Sequence, residues 1–365
     1  MTIEAAKSPD LAKQGVLIVG GGISGVTAAL ELAGLGIAVT LVEKGEKLGG
    51  LAASFCCKAD EACNKCFACV VDKRLRDINS ADISILRGTE LTGIESDSGT
   101  YRVTLASSGK TSKRDFAAVI FAAGIDPFDA HLKGEYGYGY LKNVLTARDL
   151  EAMLREKGAI SRPSDGAAPQ RMAFFQCVGS RDLAIGNLFC SQVCCAYALR
   201  LIRLIRHTWP EIKIIIYYMD IQPAGVNFAD FLSKCRADKN VRFIRSIPSK
   251  VYQAPATDSL SVKFVDPSQG EVKEELFDMV ILSVGMTFPK DAKLTADLLG
   301  FSFDDDGFII AESQTKNGIF ATGACTGPKD IERSITEAKS TAAKAYQFVM
   351  GLHAPNAESR AMLVS

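Results

Sequence analysis

Short apolar runs alternate with helical patterns along the chain, an order typical of parallel strands connected by covering helices. The first third of the sequence predicts a strand at residues 15–19, a helix at 26–36 and a strand at 38–42. Residues 83–120 carry short alternating runs separated by glycines, which predict a β-meander, and residues 117–124 form another buried strand. The pattern therefore indicates an α/β protein with a small antiparallel part.

The same alternation resumes after a polar connector rich in glycine and tyrosine at residues 125–145. The further predicted elements are helices at 147–157, 228–236 and 331–350, strands at 172–176, 213–218, 241–245 and 276–284, and a hairpin-like stretch at 250–265. We therefore predict two Rossmann-like domains, the first split in sequence around the second. The expected boundaries are residues 1–125, 126–285 and 286–365.

Composition is that of a globular protein large enough for two domains. The chain has 365 residues, of which 47% are hydrophobic and 23% charged. Lysine plus arginine (42) equals aspartate plus glutamate (42), so charge gives no reason to expect nucleic acid or an anionic membrane as a partner. We expect no export signal or membrane span and a cytoplasmic location. In that setting eleven cysteines favour metal binding or redox chemistry over structural disulfides.

The loop after the first strand predicts a dinucleotide site. Gly20 makes the turn, Gly22 lets the backbone approach a pyrophosphate, and Gly25 permits close packing of the helix on the strand. The following helix begins with free amide groups, and its dipole favours the phosphates. Glu43 ends the second strand, where a carboxylate binds ribose hydroxyls and disfavours a 2′-phosphate.

The residues after Glu43 resemble the FAD-binding arm of flavoproteins with two dinucleotide-binding domains, the thioredoxin and glutathione reductase group. The arm reads EKGEKLGG from residue 43 to residue 50, and the strand that ends in Ala123 and Gly124 resembles the strand exit of the same group. The resemblance predicts FAD contacts from Gly20, Gly22, Ile23, Ser24, Gly25, Glu43, Lys44, Gly49, Gly50, Leu51, Ala123, Gly124, Gly323, Ala324, Lys329, Asp330 and Ile331.

The last predicted helix has a specific expected role in this group. Its N-terminus faces the pyrimidine edge of the flavin, where the helix dipole stabilises negative charge. The group usually has an aspartate after the Thr-Gly pair for the ribityl chain. Ala324 replaces it here, so we expect that contact from the backbone or another residue.

Four cysteines define the candidate redox site. Cys177, Cys190, Cys194 and Cys195 are separated by thirteen, four and one residues. A helix that begins near Cys190 would place Cys190 and Cys194 on one face, opposite Cys177 at the end of a strand. A catalytic dithiol, a zinc site and buried small apolar residues are the alternatives. The spacing fits C-x-x-C poorly, so we favour an iron–sulfur cluster.

The motifs QCVGSRD (residues 176–182) and CSQVCCAYA (190–198) resemble the flavin subunit of heterodisulfide reductases, the HdrA family, as do YGYGY (136–140) and GPKD (327–330). The resemblance extends from about residue 14 to residue 350. It implies that Cys177, Cys190, Cys194 and Cys195 ligate a [4Fe–4S] cluster and that FAD is the electron hub. The chain lacks the ferredoxin-like inserts of larger members. It therefore resembles the compact, homodimeric form of sulfur-oxidising systems.

A second group, formed by Cys56, Cys57, Cys63, Cys66 and Cys69, follows the FAD arm. A second metal or cluster site, a redox dithiol and plain thiols all remain open for it. Cys235 and Cys325 are expected to be ordinary thiols. Arg200, Arg203 and Arg206 recur every three residues, and we interpret them as a solvated helix face, with a docking surface for a partner as the alternative.

The expected function is electron transfer between FAD and a cluster, within a heterodisulfide reductase-like complex of sulfur metabolism. Such transfer needs no catalytic acid–base pair, and we assign none. One alternative is an NAD(P)H-dependent disulfide reductase of the thioredoxin reductase type, and another is a scaffold subunit with structural FAD. The second domain has Cys177 where a nucleotide-binding loop would begin, but NAD(H) could still react at the flavin as a diffusible carrier.

Overall fold

The computed structural model describes residues 14–97, 99–223, 227–255, 257–312 and 317–351. The strands are β1 (Val16–Val19), β2 (Val39–Val42), β3 (Ser84–Leu86), β4 (Thr89–Asp97), β5 (Thr100–Ser107), β6 (Lys110–Phe116), β7 (Ala118–Phe121), β8 (Asp126–Pro127), β9 (Val144–Thr146), β10 (Arg171–Val178), β11 (Lys213–Tyr217), β12 (Val241–Ile244), β13 (Lys250–Gln253), β14 (Leu260–Val265), β15 (Val272–Phe277), β16 (Met279–Val284), β17 (Met286–Thr287) and β18 (Ile319–Ala321).

The helices are α1 (Ile23–Gly34), α2 (Ala68–Asp77), α3 (Ala147–Lys157), α4 (Cys194–Thr208), α5 (Phe228–Ala237), α6 (Lys293–Leu298) and α7 (Ile331–Val349). None of these helices combines the length and apolar character needed to cross a lipid bilayer. The outer ends of the first predicted domain, residues 1–13 and 352–365, lie outside the described ranges.

Two parallel five-stranded sheets organise the molecule. The first has the order β18-β7-β1-β2-β3, and the second has the order β12-β11-β10-β16-β9. We call the parts built on them the first lobe (residues 14–121 and 317–351) and the second lobe (residues 144–284). The sheets show the two predicted Rossmann-like units, while the domain boundaries at residues 125 and 285 stay predictions.

Glycine fixes the turn between β1 and α1. Gly20 has φ +106, and a Cβ atom there would lie 2.3 Å from the carbonyl oxygen of Ala122. A Cβ atom on Gly25 would lie 1.9 Å from the carbonyl oxygen of Gly20. The predicted close packing of the helix on the strand is therefore confirmed at Gly25.

Small residues also bring α7 against α1. Ala28 on α1 and Ala338, Ala342 and Ala345 on α7 are fully buried in one apolar cluster. Because their side chains are short, the two helix backbones approach closely, and α7 begins at the same edge of the sheet as the glycine loop. The second lobe has a different core, in which the ring of Tyr217 contacts aromatic rings from neighbouring strands.

The antiparallel parts differ in detail from the sequence prediction. β4, β5 and β6 form the meander, but Ser84–Leu86, which the meander was predicted to include, pairs in parallel with β2. The predicted strand at residues 276–284 is divided at Asp278. Its first part belongs to a second antiparallel sheet, β13-β14-β15, and its remainder is β16. A single run of apolar letters does not reveal that the chain changes sheets.

The cysteine-rich helix begins later than predicted. It starts at Cys194, not near Cys190, because Gln192 has φ +58, a left-handed conformation that a right-handed helix cannot include. Cys190 therefore lies in the preceding loop, and the prediction that it shares a helix face with Cys194 was wrong.

A buried ion pair joins the two lobes. Lys58, from the segment after β2, pairs with Glu151 on α3, and both side chains are 2% exposed. The Glu151 carboxylate also accepts hydrogen bonds from the Cys56 N–H at 2.7 Å and from the Tyr197 hydroxyl on α4. Lys58 lies 5.2 Å from the ring centres of Phe55 and Tyr197. Both charges are thus compensated inside the junction between the lobes.

The glycine packing predicts opposite effects for two substitutions in α1. Gly25→Ala should destabilise the fold by about 1–3 kcal/mol, because the new methyl group meets the Gly20 carbonyl. Gly34→Ala should stabilise it by about 0.4–1 kcal/mol, because a Cβ atom there meets no heavy atom within 4 Å. Denaturant unfolding of both variants measures this difference. Equal effects of the two substitutions would contradict this packing of the helix on the strand.

The buried ion pair predicts a large loss of stability for Glu151→Gln. The substitution leaves the Lys58 charge buried and unpaired, at a cost of about 3–5 kcal/mol in the free energy of unfolding. Asp297→Asn is the control, since Asp297 pairs with Lys293 within α6 and both side chains are about half exposed. Exposed pairs contribute at most about 1 kcal/mol. A cost for Glu151→Gln no greater than that of the control would contradict the assignment.

Candidate functional site

A cavity of about 540 Å³ extends from the glycine loop of the first lobe to the start of α4 in the second lobe. All but two of the predicted FAD-contacting residues line it. They are Gly20, Gly22, Ile23, Ser24, Glu43, Lys44, Gly49, Gly50, Leu51, Ala123, Gly124, Ala324, Lys329, Asp330 and Ile331. The other two, Gly25 and Gly323, pack behind the wall, Gly25 against Gly20 and Gly323 against Ser24.

The glycine loop has the shape that a dinucleotide requires. Gly22 lines the cavity, and a Cβ atom there would meet no heavy atom within 4 Å, so the absent side chain leaves the backbone open to a ligand. The N-terminus of α1 follows directly. Both carboxylate oxygens of Glu43 accept backbone hydrogen bonds, from Gly21 at 2.7 Å and from Gly45 at 2.8 Å. These residues fit FAD, with Glu43 held in place at the end of β2.

The N-terminus of α7 forms another part of the wall. Asp330 caps the helix by accepting the Arg333 N–H at 2.9 Å, and Asp330 and Ile331 line the cavity. Glu337, in the second turn of the helix, accepts the Gly323 N–H at 2.8 Å and contacts Lys329 at 2.7 Å. Glu337 thus orders the turn in which Ala324 replaces the usual aspartate.

Sequence reasoning missed the residues from the second lobe that complete the cavity. They include Arg148 on α3, Gln192 and Val193 just before α4, and Ala196, Tyr197 and Arg200 in its first two turns, and they line the cavity together with Phe55, Lys58 and Cys66 of the first lobe. One signal was present in the sequence. Glu151 occupies the same helical face as Ala147, Leu150 and Leu154, and a carboxylate on an apolar face indicates a buried partner.

Three of the four predicted cluster cysteines meet at the end of β10. Cys177 is 5% exposed, Cys194 2% and Cys195 5%, and they form a single buried cluster. Cys177 has φ +61, an uncommon conformation for a residue other than glycine, which turns the chain sharply at the strand end. Cys190 lies beside this cluster in a half-exposed loop, where its sulfur accepts the Gln192 N–H at 3.3 Å.

The thiols interact strongly with one another. Hydrogen bonds from Cys177 and Cys195 hold the pKa of Cys194 well below its usual range. The same contacts with Cys194, together with burial, raise the pKa values of Cys177 and Cys195. Arg181 lies nearby and pairs with Asp220. Cys194 is therefore the sulfur that accepts hydrogen bonds from both neighbouring thiols.

Two buried serine hydroxyl groups in the cysteine-bearing segments have no N or O partner among the described residues. Ser180, in the turn after Cys177, and Ser191, beside Cys194, are both fully buried, and neither Oγ atom has such a partner. The Ser191 hydroxyl hydrogen-bonds to the Cys194 sulfur, whereas the Ser180 hydroxyl lacks a partner, which is costly for a buried group. Hydrogen-bond donors next to sulfur ligands are what an iron–sulfur cluster uses to adjust its potential. These groups, with four adjacent cysteines, fit a cluster in donor chemistry.

The present arrangement of side chains is nevertheless not that of a metal site. Within the described ranges, no group of three or more His, Cys, Asp or Glu side chains is placed to hold a metal ion. The same finding applies to Cys56, Cys57, Cys63, Cys66 and Cys69. Of these, Cys66 lines the cavity, while Cys57, Cys63 and Cys69 are exposed. Burial raises the pKa of Cys56, which lies beside Glu151, to about 11.

Comparison with known proteins identifies the family. A model of the pyridine nucleotide-disulphide oxidoreductase family matches residues 14–345. An iron-sulfur subunit of CoB–CoM heterodisulfide reductase from Methanopyrus kandleri is 30% identical over 418 residues, covering 90% of this chain and 63% of the relative. The corresponding subunit of Methanocaldococcus jannaschii is 29% identical and covers 89% of this chain and 63% of the relative. The chain thus spans less than two thirds of their length. The predicted resemblance to the HdrA family of heterodisulfide reductases is confirmed.

Solved structures agree with the fold. Lactococcus lactis thioredoxin reductase superposes with a TM-score of 0.62 at 20% identity and covers 92% of this chain and 99% of that chain. T. acidophilum thioredoxin reductase gives a TM-score of 0.59 at 17% identity, covering 92% and 97%. The predicted thioredoxin reductase-like fold is therefore confirmed. The chain belongs to the pyridine nucleotide-disulphide oxidoreductase family and is a flavoprotein oxidoreductase whose fold implies FAD.

Proposed function

We propose that this protein is the electron-transfer subunit of a heterodisulfide reductase-like complex in sulfur metabolism. FAD would occupy the cavity of the first lobe, and Cys177, Cys190, Cys194 and Cys195 would hold a [4Fe–4S] cluster. FAD supplies two-electron chemistry when bound, and a cluster supplies transfer of single electrons. The observation that carries the proposal is the position of the thiols, which lie at the end of β10 beside the flavin cavity.

The first lobe supplies the groups that hold the flavin. The open backbone at Gly22 and the α1 N-terminus suit the pyrophosphate, and the ordered Glu43 carboxylate suits the ribose hydroxyls. The N-terminus of α7 adds a positive dipole at the opposite wall. Tyr197 and Arg200 on α4 also line the cavity, and the same helix begins with Cys194 and Cys195, so both proposed sites share one helix.

Features of the second lobe favour a cluster at this position over a nicotinamide nucleotide. Cys177 is the last residue but one of β10, and left-handed residues occur here at Cys177, Gly179 and Arg181. A hairpin between Arg181 and Phe189 follows, with Phe189 packed on Phe308 at 5.2 Å between ring centres. Three buried thiols and the buried hydroxyl groups of Ser180 and Ser191 occupy the place of a glycine-rich phosphate-binding loop.

The relatives add support of a different kind. The Methanopyrus kandleri protein is named an iron-sulfur subunit of a heterodisulfide reductase. Its alignment spans 418 positions, more than the 365 residues of this chain, so the relative contains residues that this chain lacks. We infer a compact electron-transfer protein, homodimeric, cytoplasmic and bound to other subunits of a complex. NAD(H) as a diffusible reductant of the flavin belongs to the same proposal.

The test is chemical analysis of protein purified without oxygen. Flavin, iron and acid-labile sulfide should be present in a ratio of about one to four to four per chain. Cys194→Ala should lose iron and sulfide while the flavin remains, because the flavin cavity is built mainly by the first lobe. Cys235→Ala is the matched control, since Cys235 is 1% exposed on α5 and is not among the proposed ligands.

Other results would contradict the proposal in distinguishable ways. Flavin with no iron or sulfide would favour a disulfide reductase that uses its cysteines as dithiols. Flavin that neither NADH nor a strong chemical reductant can reduce would favour a scaffold subunit with structural FAD. Equal loss of iron in Cys194→Ala and Cys235→Ala would show that Cys194 is no specific ligand.

A further inference from the structure

One segment of the first lobe reaches across onto the second lobe. Residues 50–67, which we call the strap, follow Gly49 at the wall of the flavin cavity and precede α2. Most of the strap lacks regular helix or strand, yet several of its groups are held by side chains of α3 and α4. Segments that connect elements usually run over the surface with few such contacts. The number and burial of these contacts therefore need an explanation.

The central contacts of the strap are buried. The Lys58–Glu151 ion pair is 2% exposed on both sides. Tyr197 donates its hydroxyl proton to the same Glu151 carboxylate, and its ring lies 5.6 Å from that of Phe55. Breaking a buried pair of this kind leaves an uncompensated charge, which is strongly unfavourable. This part of the strap therefore resists separation of the lobes.

A second set of contacts uses the arginines of α4. Arg203 binds the Asp60 carboxylate, with Nε at 2.8 Å, and the Asp60 side chain is 3% exposed. Arg200 donates from Nε to the Asn64 carbonyl at 2.8 Å. Burial alone would raise the pKa of Asp60, but hydrogen bonds from the Ala62 N–H and from Arg203 outweigh it and hold the pKa below its usual range. Asp60 therefore stays ionised and paired at neutral pH.

These contacts correct the interpretation of the arginine repeat as a solvated face. Tyr197, Arg200 and Arg203 are three residues apart and lie on one side of α4, against the strap. Arg206, the next in the series, instead pairs with Asp238 inside the second lobe. Helix α4, which contacts the strap, also carries Cys194 and Cys195 in its first turn.

We infer that the strap is a rigid link that fixes the flavin cavity relative to the thiol site, with Lys58, Asp60, Glu151 and Arg203 as its positioning residues. It runs from the flavin wall at Gly49 to the helix of Cys194, so a shift of α4 relative to the first lobe would break the buried contacts. Lobes joined by polar interfaces move relative to one another by default. Electron transfer falls steeply with separation, so a fixed link keeps the path between the two sites short.

The functional part of this inference rests on the proposed electron transfer, but the rigid link itself does not. A distance measurement between the lobes therefore tests it separately. Leu35 in the first lobe and Ile247 in the second are 51% and 54% exposed and can carry spin labels. The labels should be attached through unnatural amino acids, because exposed native cysteines, among them Cys57, Cys63 and Cys69, would react with thiol reagents.

Pulsed dipolar spectroscopy of the full chain should give one narrow distance, unchanged when the flavin is reduced. Asp60→Asn and Arg203→Met should broaden it. Asp238→Asn is the matched control, because it removes an aspartate paired to α4 within one lobe and should leave the distance narrow. A broad or two-peaked distribution in the unsubstituted protein would overturn the inference without any variant. So would a distribution that remains narrow in both strap variants.

A second readout tests the positioning role in the holoprotein. After rapid reduction of the flavin, electron transfer to the cluster should slow several-fold in Asp60→Asn, because the rate falls steeply as the separation between the two sites increases. Flavin and iron contents should stay unchanged in this variant, as should the rate in Asp238→Asn. Unchanged transfer in Asp60→Asn would overturn the positioning role. Absence of iron in the unsubstituted protein would overturn the proposed function instead and leave the distance measurement valid.

Discussion

The buried ion pair between Lys58 and Glu151 is the interaction on which the relation between the two lobes depends. Each charge alone would be costly at 2% exposure, so the pair forms only when the strap lies against α3 and α4. Tyr197, on α4, donates a hydrogen bond to the same carboxylate, and α4 is the helix that begins with Cys194. One polar contact thus connects the wall of the flavin cavity to the thiol site.

The thiol site depends on a second constraint, which is the backbone at the end of β10. The left-handed conformation of Cys177 turns its thiol towards the start of α4. Gln192 is also left-handed, a conformation that a right-handed helix cannot include, so α4 begins only at Cys194. Cys190 consequently approaches from a loop and not from a helix face. The three buried sulfurs interact through hydrogen bonds centred on Cys194, and the hydroxyl group of Ser191 hydrogen-bonds to the same sulfur.

Local sequence signals predicted much of the fold and the first-lobe site. The steric role of the glycines between β1 and α1 could be predicted from their spacing. The role of Glu43 could be predicted from its position at the end of a strand. Contacts between residues that are distant in sequence could not be predicted in this way. Arg203 and Asp60 are separated by 143 positions, and nothing near either residue indicates the other. A three-residue arginine repeat is equally compatible with solvent and with the strap, so only the packing of the lobes distinguishes them.

The most direct test of the proposed pairing of flavin and cluster is a crystal structure of the protein purified and crystallised without oxygen, with anomalous data collected at the iron absorption edge. We predict iron peaks next to Cys177, Cys194 and Cys195, with Cys190 moved to complete the ligand set and FAD in the cavity of the first lobe. FAD in that cavity with no iron peak at the four cysteines, or with those thiols joined in a disulfide, would contradict the proposal.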